Sequence, residues 1–562
     1  MVMKKAYALL SRNRKKVWFS AALNALFLLL LLVVTRPYFE TNDDITLAGF
    51  FNLSRGTQDA WTNISNGLFG VIVGACYRLT AQIPWYILFL YGAAFFSLTT
   101  VTYVLLNRFE GWPGMMLSGV LLAYFGYECY TAVNFTKIAA CAGAAGIFLI
   151  YDSVRDGRPR IPGIVIGSLV ILMGYLIRPE EALAAVVSTA AGAFFLILRI
   201  RREVPEGRRL RRLGMYILAV VPAVLLVAAA KKYDTFLLKS SAERTAYQEY
   251  TTARSSLLDY DFPPYSGHET EYEQLGINQN AWVLYKGWNF YDPDKMSVQV
   301  MQQIAKFQQE RKIDRKLVKD FLGLYPDRFF RNQMFLIYLF VLTLVILFGS
   351  HGAEGAASVL LQIFLIGGLF FYLFYAGRYG VRRVDIGIWW GGTLGLLVVL
   401  DQRNLHFSPK AAAAVMMFAL IMNQMTWAPH YRRQTVHARM EARNKQNYVS
   451  QMSNDTDHLY ICLSNCYYPA GAYGPFDRVP VGATANIITL GGWATKSIPY
   501  MSVFERYGIH NPYRDMIDNE KVRLVADSPE RVLTYLHDYY DPDCTAEKVG
   551  TIGHHNLYVF HS

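Results

Sequence analysis

Three short stretches hold residues whose types and spacing could do chemistry. The first is 36-RPYFETNDDITLAGFFNLSRG-56, where Asn42, Asp43 and Asp44 stand together just after a long apolar run. A carboxylate pair could supply a general base, one aspartate taking the proton of a hydroxyl while the other orients it or binds a metal ion. The competing reading is local: Asn42 or Asp43 caps a helix over 45–55, since Asn and Asp are favoured caps and negative charge suits a helix N-terminus. That reading explains one carboxylate and leaves the second over. The next stretch, 174-GYLIRPEEAL-183, puts Arg178, Glu180 and Glu181 at the end of an apolar run. A guanidinium suits phosphate because it binds bidentately. A hairpin turning at Pro179, with its charges paired or reaching the headgroups, explains the same residues equally well. The third stretch, 376-AGRYGVRRVDIG-387, carries Arg378, Arg382 and Arg383, suited to a lipid-linked phosphate or to anionic headgroups. Lys137, in 133-VNFTK-137, could meet a phosphate or simply snorkel.

These residues need elements to hold them, and composition says what kind. The 562 residues are 53% hydrophobic and 17% charged, too apolar for a soluble chain of this length. The apolar residues gather in runs long enough to span a bilayer core of about 20 residues per helix. Residues 17–34 form the first, broken only by Asn24, and further runs lie near 84–106, 113–130, 135–151, 161–178, 182–198, 213–230, 333–349, 355–376, 385–400 and 410–427. An all-α polytopic membrane protein of about eleven spans, eleven to thirteen by the candidate runs, is expected. The net charge of +12 does not point to nucleic acid. Much of it sits in short loops, where Lys and Arg mark the cytoplasmic side.

The basic run 4–16 and the seven arginines of 199–212 set the topology, with both on the cytoplasmic side. The NDD loop, 178–181 and the 231–330 segment then face outside. Parity requires that one candidate run before residue 151 does not cross. The weakest is 64–80, short and interrupted by glycines and Arg78, and is read as re-entrant; a broken helix within 113–151 is the rival solution. The basic segment 431–445, directly after the last run, opposes an external C-terminal side.

The expected organisation is a transmembrane core over 1–230 with an external acidic loop at 36–66. A mostly helical extracytoplasmic insert follows at 231–330, then transmembrane helices over 331–428 and a small extracytoplasmic α/β domain over 450–562. In that last domain "HLYICL" and "VRLVAD" read as strands, "SPERVLTYLHDYY" as a helix capped by Ser528, and "TIGHHNLYVFH" as a terminal strand or hairpin. Cys462 and Cys466 could pair in an oxidising compartment, but the cysteine spacing forms no scaffold. Asn52, Asn63, Asn134 and Asn454 begin N-x-S/T triplets, which arise often by chance. No P-loop, dinucleotide fingerprint, HExxH or GxSxG occurs, which argues against an ATP-driven pump, a soluble-nucleotide enzyme and a metalloprotease.

The order of these features resembles the polytopic glycosyltransferases of the GT-C fold class, which take sugar from a polyprenyl-phosphate carrier outside the cytoplasmic membrane. The shared outline is a cytoplasmic N-terminus, one span, an external loop with an acidic motif (here Asn42-Asp43-Asp44), further spans and an external C-terminal domain. More closely the chain resembles multi-span membrane proteins of Gram-positive bacteria with the NDD loop, a segment like 276-GINQNAWVLYKGWNFYD-292 and a GRxxxRV pattern, here Gly377, Arg378, Arg383 and Val384.

The resemblance implies that Asp43 or Asp44 activates the acceptor and that Arg178, Arg378 and Arg383 hold the carrier phosphate. Together the sequence nominates Asp43 and Asp44 as catalytic. It nominates Asn42, Lys137, Arg178, Glu180, Glu181, Arg378, Arg382 and Arg383 as substrate-binding. The expected partners are a lipid-linked sugar donor, membrane lipid and a cell-envelope acceptor. Nothing visible requires a divalent cation and nothing bars one. A flippase of lipid-linked glycans and a non-catalytic envelope-assembly protein are the alternatives.

Overall fold

The computed structural model describes residues 13–308, 311–349, 352–401, 405–463 and 469–562. Most of the basic N-terminal run and Cys466 fall outside these ranges, and with Cys466 the cysteine pairing considered above. The first half is helical: α1 (Asn13–Val34), α2 (Asn42–Phe51), α3 (Gly67–Leu79), α4 (Trp85–Arg108), α5 (Trp112–Leu121), α6 (Tyr127–Thr131), α7 (Phe135–Val154), α8 (Ile161–Ile177), α9 (Pro179–Ser188), α10 (Ala190–Glu203) and α11 (Glu206–Lys239). A π turn, Leu122–Gly126, joins α5 to α6. The polar middle adds α12 (Ala242–Leu258), α13 (Glu269–Gln274), α14 (Gln279–Lys286), α15 (Val298–Ala305) and α16 (Arg315–Phe330). The apolar runs then return as α17 (Gln333–Phe348), α18 (Ala353–Tyr375), α19 (Arg382–Val399) and α20 (Pro409–Thr426), followed by α21 (Ala428–Asn454).

Every apolar run is helical because backbone groups in hydrocarbon can bond only within their own segment. By length and composition six described helices can cross a membrane, or up to eight if each of two bent pairs is one span. These are the helices of a multi-pass membrane protein. The remaining runs fall short of that test for visible reasons: α8 has 17 residues, α5 is interrupted by the π turn, and α19 opens on Arg382, Arg383 and Asp385.

At the centre stands α7, all twenty of whose residues are buried. An apolar helix buried on every side belongs to the core of a bundle. It packs closely on α8: a Cβ at Gly146 would lie 2.4 Å from the Gly167 carbonyl oxygen, and one at Gly167 2.7 Å from that of Gly146. Small residues at such a crossing let helix backbones approach in a membrane. Asn24 of α1 is buried and donates to Thr102 of α4 at 3.0 Å.

The loops segregate to two ends. At one end β1 (Tyr38–Phe39) pairs in parallel with β2 (Ala132–Val133), beside the NDD turn. At the other, Arg108 donates to the carbonyls of Val398 and Leu400, Arg212 to that of Arg155, and Arg202 faces Glu354. The flanks of α3 both lie at the NDD end. Asn66, its cap, bonds the Leu176 and Ala230 carbonyls at 3.0 and 3.1 Å, while Tyr86, just beyond it, donates to Asp44. Its thirteen residues are fewer than the about 20 that a spanning helix needs. The basic helix α21 also lies at this end, where Thr435 donates to the Arg36 carbonyl at 3.0 Å.

The C-terminal region adds β3 (Leu459–Cys462), β4 (Ile487–Thr489), α22 (Ile498–Arg506), β5 (Val522–Ala526), α23 (Glu530–Tyr539), β6 (Thr545–Ile552) and β7 (His555–His561). The strands form one sheet in the order β4-β3-β5-β7-β6, parallel at β3–β4 and β3–β5 and antiparallel at β5–β7 and β7–β6. Ser528 accepts from the Glu530 N–H at 3.3 Å, although Pro529 is the cap residue of α23. The helical insert shares a hydrophobic cluster with this sheet, for example Tyr250, Leu257, Tyr285 and Phe290 with Leu459, Ile461, Leu524 and Tyr535. Asp292 ties the two together: it is fully buried and accepts from Tyr535 and Tyr540 hydroxyls at 2.7 and 2.6 Å and from Asn511 at 3.0 Å.

Candidate active site

Thr41, not Asn42 or Asp43, is the cap residue of α2, and it makes no side-chain capping bond to the backbone. Asn42, Asp43 and Asp44 therefore fill the first turn, about 100° apart around the axis. They look in different directions. Asn42 is exposed, Asp43 partly exposed and Asp44 fully buried.

Asp44 is saturated. Its carboxylate accepts from the Tyr86 hydroxyl at 3.0 Å, the Phe135 N–H at 3.0 Å and the Asn134 amide at 2.9 Å. The other end of Asn134 caps α7 by accepting from the Thr136 N–H, so Asp44 joins α2 to the N-terminus of the central helix. Burial pushes the Asp44 carboxyl up to about 8, against the pull of the Phe135 and Tyr86 hydrogen bonds. Of the two nominated aspartates only Asp43 stays accessible, because the register of α2 turns Asp44 into the core. Asn134 and Asn52, buried, are no sites for glycan attachment.

Two residues not singled out in the sequence organise the rest. Glu128 of α6 is fully buried. It accepts from Lys137 at 2.6 Å, from both Arg382 terminal nitrogens at 2.8 Å, from Gln333 at 2.7 Å and from the Tyr431 hydroxyl. Glu40 pairs with Lys137 at 2.7 Å and Arg382 at 3.1 Å. Two carboxylates thus meet two cations where α6, α7, α17, α19 and α21 converge. Lys137 is fully buried, so neither a surface phosphate contact nor snorkelling describes it. Arg382 is likewise committed to the two glutamates. The available signal was Glu128 itself, a lone acid inside the apolar run 113–130, where an ionisable group is costly and functional by default.

Beside this network lies a less committed set. Asp43 faces Arg383 at 3.2 Å, their side chains 22% and 28% exposed. Arg178 stands 3.8 Å from Glu181, donates weakly to Thr136 at 3.4 Å, and lies over the Phe135 ring. Its Nε is buried with no hydrogen-bond partner. Arg178 and Arg383 are both within electrostatic reach of Glu181. Asp385 is held by Arg328 at 2.6 Å. The structure thus gathers Asp43, Arg178, Glu181 and Arg383, with Lys137 and Arg382 in the adjoining glutamate network. It separates two others: Arg378 pairs with Asp259 of the insert at 3.3 Å, and Glu180 is turned out to solvent.

Chemically, Asp43 is an accessible carboxylate beside a guanidinium, able to accept a proton from an incoming hydroxyl. Arg383 and Arg178 are placed to meet an anion, and the N-termini of α2, α7, α9 and α19, which converge here, add the positive ends of their dipoles. Among the described residues no group of three or more His, Cys, Asp or Glu side chains is arranged to hold a metal ion.

No family model and no curated protein matches the chain. Similarity to solved structures is low in identity and in fit, and assigns no residue a role. Over 97% of each chain the protein is similar, at 12% identity and a TM-score of 0.44, to ArnT from Cupriavidus metallidurans bound to undecaprenyl phosphate. The corresponding values for ArnT in the apo state are 11% and 0.43, over 95% of this chain and 97% of that one.

Proposed function

We propose that the protein is a GT-C-type glycosyltransferase that moves a sugar from a polyprenyl-phosphate carrier to a cell-envelope acceptor at the outer face of the cytoplasmic membrane. The observation that carries this is the pairing of an accessible Asp43 with Arg383, next to the under-bonded Arg178, where four helix N-termini meet. In this reading the acceptor oxygen attacks the anomeric carbon in a single displacement. Asp43 takes the hydroxyl proton as the carbon–oxygen bond to the carrier phosphate breaks. Arg383 and Arg178 receive the charge that develops on the departing phosphate, which is where preorganised donors accelerate a reaction. Asp44 and the Glu128 network touch no reacting atom and hold α2, α7 and α19 in register.

The same reading gives eleven crossings, with α3 re-entrant. The arginine-rich loop 199–212 lies at the end opposite the site, which supports a cytoplasmic N-terminus and an external site, insert and C-terminal domain. A flippase would carry its charges through the midplane, whereas here the notable ion pairs gather at the two ends.

The test is turnover of a polyprenyl-phosphate donor labelled in the sugar, by purified protein in lipid with envelope extract as acceptor. Label in acceptor together with free polyprenyl phosphate is expected. Label carried across the membrane with the phosphate–sugar bond intact would replace the enzyme with a flippase.

A further inference from the structure

One feature of the sequence stays unexplained by the site: the basic segment 431–445 lies at the NDD end, against the charge trend of membrane proteins. Its helix passes the outer end of α1, where Thr435 bonds the Arg36 carbonyl two residues beyond Val34. Helix α21 leaves the Glu128 network at Tyr431 and climbs to the start of β3 at Leu459. At 1.5 Å per residue, Arg439 and Arg443 stand about 17 and about 23 Å along it from Ala428.

There they line a cavity of about 590 Å³ between the end of α1 at Leu32, the 35–42 stretch, α21 and residues 471–477. Arg36, Arg439, Arg443 and Lys445 contribute the positive charge, Glu40, Glu441 and Asp477 the negative. The acids are already engaged: Glu40 by Lys137 and Arg382, Glu441 by Lys445, Asp477 by the Gly474 N–H. The guanidiniums of Arg36, Arg439 and Arg443 have no ion-pair or hydrogen-bond partner among the described residues. Glu40, Thr41 and Asn42, the residues immediately before Asp43, also line the cavity.

We infer that this cavity is the acceptor subsite and that it takes a hydroxyl-bearing phosphodiester polymer. The inference rests on the glycosyltransferase reading and adds the chemistry of the acceptor. The first turn of α2 then divides the two substrates. Asp43 faces Arg383 on the carrier side, Asn42 opens onto the acceptor side, and a hydroxyl arriving past Asn42 reaches the base from the side opposite the departing phosphate. Unpaired arginines select phosphate because the guanidinium fork matches its oxygens.

The experiment uses the full-length protein in nanodiscs of neutral phosphatidylcholine and a fluorescent poly(glycerol phosphate) oligomer as probe, with neutral dextran as comparison. The wild type should bind the oligomer and not the dextran. The double variant Arg439→Gln/Arg443→Gln should weaken binding at least about tenfold and flatten its salt dependence, two charge-assisted contacts being lost. Arg433→Gln, on the same helix but off the cavity, should bind as the wild type does, and a normal elution profile establishes folding of each variant. Asp43→Asn should also bind normally, so the subsite can stand or fall separately from the catalytic assignment. Equal binding by the double variant overturns the inference. So does binding that needs phosphatidylglycerol in the disc, which would make the arginines a headgroup contact.

Discussion

Replacing Asp44 with Asn separates a structural carboxylate from a catalytic one. The amide keeps the size of the side chain. One oxygen can still accept from the Tyr86 hydroxyl and the Phe135 N–H, but the new NH2 meets the Asn134 amide donor 2.9 Å away. Asn134 cannot turn over without giving up the Thr136 N–H that caps α7. A donor is orphaned where there is no solvent, at about 1–3 kcal/mol.

The pH dependence has a definite sign. The folded state raises this carboxyl from 3.8 to about 8, so it binds the proton that the unfolded chain has lost. The contribution of Asp44 to stability therefore falls as pH rises through that interval, and the Asn variant has no such fall. Apparent melting temperatures in detergent, taken between about pH 5 and pH 8, should show the variant below the wild type at the acid end and the gap narrowing toward the alkaline end. Sugar transfer per folded molecule should be retained. An unchanged melting curve at both pH values together with lost transfer would refute the division of labour between Asp43 and Asp44.

Further outcomes follow from the buried polar groups. Glu128→Gln leaves Lys137 and Arg382 with Glu40 alone, and should cost about 3–5 kcal/mol as a broken buried pair, read as loss of monodisperse protein on size exclusion; adding Lys137→Met should recover part of the yield. Asp292→Ala strands the Tyr535 and Tyr540 hydroxyls and the Asn511 amide, so limited trypsin digestion should cut within 269–306 sooner than in the wild type. Glu273→Ala, at an exposed carboxylate of the same insert, should leave the digestion pattern unchanged.

Much of the scaffold is legible in the sequence because hydrocarbon imposes one solution on each apolar run. Short length, glycines and Arg78 mark 64–80 as the weakest apolar run, and both flanks of α3 lie at one end of the bundle. What the chain order hides is direction at the scale of one residue. Whether Asp43 or Asp44 points inward depends on a rotation of about 100°, fixed by Asn134 and Phe135 some ninety positions away. Lys137 and Arg382 read as phosphate ligands because their partners Glu40 and Glu128 are remote or sit inside a run counted as membrane span. The basic stretch of α21 has the reverse problem: its composition is visible, but nothing in the sequence shows that Arg439 and Arg443 share one cavity with Arg36. The shared core of insert and C-terminal sheet was hidden too, since Tyr285 and Tyr535 are 250 positions apart.

The central claim is that Asp43 takes the acceptor proton. It is tested most directly by incorporation of labelled sugar from polyprenyl-phosphate donors, measured per folded molecule in membranes carrying the wild type, Asp43→Asn or Asp44→Asn. A general base contributes typically about 10²–10⁴-fold, so Asp43→Asn should fall by at least about a hundredfold while Asp44→Asn stays near the wild-type rate. Equal incorporation by Asp43→Asn and the wild type would contradict the account.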